Sequence, residues 1–196
     1  MREIAIAVFA SGKGSNFRRL LAVEKEGGLG NGRLRMLVSD NPEAPALAAA
    51  LAAGVPIFAK RPKALGGKDA WETSVLEALR EAGVELVVLA GFMRLVGPVL
   101  LAAYRGRMIN LHPSLLPAFK GKDAIGQAFA AGVGETGVSV HYVSEALDGG
   151  EVIAQARVAV LPGEDLVSLE ARIHAQEHEL LPAVVKTLCE TLAKES

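Results

Sequence analysis

The chain reads as an α/β domain: a largely parallel sheet with helices on both faces. Two observations point there. Short apolar runs of strand length alternate with longer amphipathic or alanine-rich stretches of helix length. Three polar clusters (11–16, 91–94 and 110–112) each follow an apolar run, where a parallel α/β sheet gathers its ligands. The length of 196 residues suits one domain with a substantial core.

Ile4 to Phe9 is a continuous apolar run, as expected of a strand buried on both faces. Ser11-Gly12-Lys13-Gly14-Ser15-Asn16 follows, and Phe17, Leu20, Leu21 and Val23 then recur at helical spacing. Leu34–Ser39 is a second strand, closed by Asp40-Asn41-Pro42. Ala44–Ala53 is an alanine-rich helix ending at Gly54, and Val55–Phe58 a third strand. Asp69–Ala82 is an amphipathic helix stopped by Gly83. Leu86–Ala90 is a fourth strand, Pro98–Tyr104 a short helix and Arg107–Leu111 a fifth strand. Asp123–Ala131 reads as a helix. Gly137–Val143 and Val152–Val160 read as two strands, antiparallel across the 144–151 loop. Asp165–Lys194 is a long terminal helix in which Pro182 predicts a kink or break.

Bulk properties exclude several classes. A hydrophobic content of 51% with 22% charged residues is that of a folded protein. A net charge of −1 gives no electrostatic reason to expect nucleic acid as a partner. A single cysteine, Cys189, excludes an intrachain disulfide. No apolar run reaches the roughly 18 residues of a membrane helix. The first apolar run is too short for a secretory signal, so a cytoplasmic location is expected.

Four groups can carry chemistry. Gly12-Lys13-Gly14-Ser15-Asn16 opens a helix, where glycines permit close backbone approach and free N–H groups attract an anion. Phe17 stands where a dinucleotide fingerprint needs its third glycine, so a phosphate monoester fits better. Arg94 can bind a carboxylate or carbonyl, with Met93 and Val96 beside a flat ring. Asn110 and His112 are two apart in an extended segment that Pro113 keeps extended, so they share a face. An amide donor beside an imidazole suits proton transfer and charge stabilisation. Asp148 lies on a connection long enough to bring a carboxylate to that imidazole. A competing class is a zinc peptidase, because His174-Ala175-Gln176-Glu177-His178 matches H-x-x-E-H.

Taken together, the chain resembles the folate-dependent phosphoribosylglycinamide formyltransferase family. The resemblance rests on Ser11–Asn16, Leu89-Ala90-Gly91-Phe92-Met93-Arg94, Asn110–Pro117, Gly137-Val138-Ser139-Val140-His141, Leu147-Asp148-Gly149-Gly150 and Gln176-Glu177-His178, in that order. It implies a three-layer α/β/α fold with a mixed, mostly parallel seven-stranded sheet. It also implies a single domain over 1–196, with a nucleotide-binding half (1–105) and a catalytic and folate-binding half (106–196). The implied reaction moves a formyl group from 10-formyltetrahydrofolate, a co-substrate, to glycinamide ribonucleotide. No metal, nucleic acid or membrane enters it, and a monomer or homodimer is expected. By match, Asn110, His112 and Asp148 are catalytic. Gly14, Ser15, Asn16, Glu177 and His174 bind the nucleotide. Lys68, Met93, Arg94, Leu95, Val96 and Asn110 bind the folate. The related formyltetrahydrofolate deformylases share the Asn/His/Asp set, and Lys120 stands where many family members carry proline. Pro113, where deformylases tend to have histidine, favours the transferase.

Overall fold

The computed structural model describes residues 2–195. Seven strands form one sheet: β1 (Ile4–Phe9), β2 (Gly32–Ser39), β3 (Ile57–Ala59), β4 (Leu86–Leu89), β5 (Met108–His112), β6 (Glu135–Tyr142) and β7 (Val152–Ala159). Their spatial order is β3-β2-β1-β4-β5-β6-β7. Pairings from β3 through β5 are parallel, whereas β6 runs antiparallel to both β5 and β7. The helices are α1 (Ser15–Lys25), α2 (Ala46–Ala53), α3 (Lys68–Glu81), α4 (Pro98–Ala103), α5 (Ala124–Ala130) and α6 (Leu166–Leu192). The mixed, mostly parallel α/β sheet is therefore as expected.

Alternation along the strands divides the core in two. Ile4, Ile6 and Val8 of β1 join Phe17 and Leu20 of α1, Ala46 and Ala50 of α2, and Leu169 and Ile173 of α6. Ala7 and Phe9 point the other way and pack with Trp71, Val75 and Leu79 of α3 and Leu100 of α4. A strand covered by helices on both faces needs apolar residues at every position, which is why β1 reads as an unbroken run.

Some boundaries move for identifiable reasons. Pro45 precedes the first turn of α2, which starts at Ala46 rather than Ala44. Asp165 caps α6, its carboxylate accepting from the Ser168 N–H at 2.8 Å. A single 3-10 turn, Pro62–Leu65, was not anticipated. Of the kink or break expected at Pro182, the break is corrected: α6 is one helix from Leu166 to Leu192. Proline cannot donate to the carbonyl of His178, four residues back. Arg19 Nε of α1 donates to that carbonyl instead, at 3.1 Å.

Candidate active site

The carboxyl ends of β1, β4 and β5 lie side by side, because these strands are parallel neighbours. The three polar segments that follow them meet there.

At the end of β1, Gly14 takes a left-handed φ of 66° and leads into α1. A Cβ at this position would lie 2.5 Å from the Ala46 Cβ, so both conformation and space require glycine. The start of α1 presents Ser15 and Asn16 with free helix-terminal N–H groups. Asn16 is buried, and its Nδ2 donates to Glu177 Oε2 of α6 at 3.0 Å. His174 Nδ1 donates to the same oxygen at 2.9 Å. That hydrogen bond raises the His174 pKa, against a smaller opposing effect of burial. Nucleotide-binding candidates distant in sequence thus form one cluster. In the H-x-x-E-H string Glu177 accepts one side-chain donor from α1, Asn16, and one from its own helix, His174. Among the described residues, no three His, Cys, Asp or Glu side chains are arranged to hold a metal.

Beyond β4, Gly91 takes a φ of 76° and the chain turns through 92–97. Lys68, Arg94, Leu95 and Val96 line one depression together with Trp71 and Phe92. Trp71 and Phe92 stack there, 5.9 Å apart. Met93 is not among its walls and is 69% exposed. Two acidic residues that sequence reasoning missed hold this segment. Asp40 Oδ2 accepts from Arg94 Nε and its Oδ1 from Ser11 Oγ, both at 2.6 Å. Ser11 Oγ in turn accepts from the Met93 N–H at 3.0 Å. Glu72 of α3 is buried and accepts from the Gly97 N–H at 2.6 Å.

At the end of β5, Asn110 and His112 point to the same face of the sheet, as their spacing requires. The register sets Asn110 opposite His141 and His112 opposite Ser139 of β6. Asn110 Nδ2 donates to His141 Nε2 at 3.0 Å and lies 3.4 Å from Asp148 Oδ1. His141 Nδ1 must donate to the Tyr142 carbonyl, 2.8 Å away, which leaves Nε2 as the acceptor. Burial lowers the His141 pKa, outweighing its own backbone hydrogen bond and the nearby Asp148. His112 is buried, and its Nε2 donates to the Phe119 carbonyl at 2.9 Å. Its Nδ1 lies 3.6 Å from Asp148 Oδ2, close but beyond a direct hydrogen bond. Asp148 Oδ2 also accepts from the Gly121 N–H at 2.8 Å. Phe119 and Asp148 both adopt positive φ (52° and 44°), a strained geometry for residues with a Cβ. All three expected residues therefore converge. His141 and the Phe119 carbonyl complete the cluster, and only strand register and a folded loop bring them in.

The chain matches the formyl transferase family model over residues 4–185. It belongs to the formyl transferase family. Within it, the chain is 48% identical to a Bacillus subtilis protein named phosphoribosylglycinamide formyltransferase, over 93% of each. It is 38% identical to the trifunctional purine biosynthetic protein adenosine-3 of Drosophila pseudoobscura pseudoobscura, over 93% of this chain. There it spans 14% of the relative's length. Among solved structures, glycinamide ribonucleotide transformylase 1 from Geobacillus kaustophilus is 49% identical with a TM-score of 0.93. That match covers 96% of this chain and 100% of the other. The formyl transferase assignment disfavours the zinc peptidase reading of 174–178.

Proposed function

We propose that the chain transfers the formyl group of 10-formyltetrahydrofolate to the amino group of glycinamide ribonucleotide. The observation that carries this is the convergence of Asn110, His112 and Asp148 on one buried sheet end. The near full-length likeness to proteins of that name supports it.

The amine lone pair attacks the formyl carbon, forming a C–N bond and placing negative charge on the formyl oxygen. One Asn110 Nδ2 proton is held by His141, and the other has only the long contact to Asp148, so it can turn to that oxygen. The His112 Nε2 proton reaches the same oxygen once it leaves the Phe119 carbonyl. Each such donor contributes roughly 3 kcal/mol to stabilising the charge. Asp148 faces His112 Nδ1, helps orient the ring, and helps pass the amine proton to the departing folate nitrogen. The C–N bond to the folate then breaks.

In this reading residues 1–105 supply the phosphate loop at Gly14, Ser15 and Asn16. They also supply donor contacts from Lys68, Met93, Arg94, Leu95 and Val96. Residues 106–196 supply the proton-transfer cluster, and return Glu177 and His174 to the nucleotide. The deciding experiment measures formate release and formyl transfer with and without glycinamide ribonucleotide. Turnover that depends on the acceptor supports a transferase; formate release without it makes the chain a deformylase.

A further inference from the structure

Two adjacent residues of α6 accept hydrogen bonds from side chains of α1. Asn16 and Arg19 are three residues apart on α1 and so share a face. Asn16 Nδ2 reaches the Glu177 side chain at 3.0 Å, and Arg19 Nε reaches the His178 carbonyl at 3.1 Å. The second contact exists because of Pro182. An ordinary residue there would donate its N–H to His178, as each helical residue does to the one four before it. Proline has no such donor. The guanidinium supplies one from the neighbouring helix, and Arg19 Nη2 also lies 3.6 Å from Glu179 Oε1. The Arg19 bond to that carbonyl depends on the height and rotation of α6 against α1.

We infer that Pro182 and Arg19 act as a clamp that fixes α6 against α1 and thereby sets Glu177 and Asn16 for the nucleotide. Arg19 is a positioning residue: it acts through Glu177 and Asn16. The inference rests on the proposed placement of glycinamide ribonucleotide against residues 14–16 and 177.

In Arg19→Ala the His178 carbonyl loses its donor. KM for glycinamide ribonucleotide rises about tenfold, the scale of a lost charged hydrogen bond, while kcat and the folate KM stay within about twofold. Pro182→Ala restores an N–H at residue 182 and with it the ordinary helical bond. In that background Arg19→Ala changes the nucleotide KM by about twofold or less, and this non-additivity identifies the clamp. Equal effects of Arg19→Ala in both backgrounds overturn it. So does an effect that falls on kcat or on the folate KM. Thermal unfolding of the same four proteins without substrate provides an independent readout: coupled Tm shifts support the clamp and additive shifts overturn it. Since unfolding needs no substrate, failure of the parent chain to formylate glycinamide ribonucleotide sinks the proposed function and leaves the unfolding test of the clamp standing.

Discussion

The cluster at the end of β5 and the 91–96 segment beside it sit on neighbouring strands but are held differently. Asn110 and His112 belong to an interior strand: Asn110 is flanked by Leu89 of β4 and His141 of β6, and His112 is paired with Ser139 of β6. The 91–96 segment is a loop that leaves Met93 and Leu95 exposed, tied down by Ser11, Asp40 and Glu72 rather than by a sheet. Proton transfer and charge stabilisation tolerate little displacement, so they belong on a rigid element. Recognition of a large flat donor tolerates more, and loops supply it. The contrast predicts that changes at the cluster fall on kcat and changes in the loop fall on the donor KM.

The largest effect is expected of His112→Ala, which on the proposed mechanism removes a donor to the developing oxyanion. The kcat should drop by about 10²–10³ with nucleotide affinity retained. Near-parental turnover, measured at saturating substrates, would remove His112 from the mechanism. Asp148→Asn comes next, with kcat lowered about tenfold to a hundredfold and both KM values little changed. A rise in the folate KM alone would move Asp148 to the loop's side of the comparison. Arg94→Ala breaks the half-exposed pair with Asp40. It should raise the folate KM by about fivefold or less and spare kcat. A kcat loss as large as that of Asp148→Asn would erase the distinction between the two regions.

Two histidines sharpen it through pH. His141 is held neutral by burial, and protonation of Nε2 would set it against the Asn110 N–H. Its pKa is depressed on folding, so its contribution to stability is full above the ordinary histidine value of about 6.5 and is lost as pH falls through the folded value. Nitrogen-detected NMR at neutral pH should find the His141 proton on Nδ1, and a proton on Nε2 would contradict the arrangement. His174 shifts the other way, raised by its bond to Glu177. Its contribution is present below the ordinary histidine value and lost as pH rises through the folded one. Nucleotide affinity should weaken over that rise, and titration calorimetry of His174→Gln should lose the dependence.

Much of this fold is legible in local patterns of residues. Unbroken apolar runs such as Ile4–Phe9 marked strands covered on both faces, and polar clusters after them marked the ligand-binding edge. The spacing of Asn110 and His112, with Pro113 behind them, fixed their common face because side chains alternate along a strand. Sequence also read Pro182 as a kink or break, since local rules contain no donor from another helix. That Arg19 supplies one follows from the packing of α1 against α6. His141 joined the site through the β5–β6 register. Phe119 and Asp40 joined through folded loops, and Glu177 by meeting Asn16 across 161 residues. Local backbone preferences set the elements and their faces. Contacts between residues far apart in sequence depend on packing the whole chain at once, and that packing joined Asn16 to Glu177 and brought His141, Phe119 and Asp148 to Asn110 and His112.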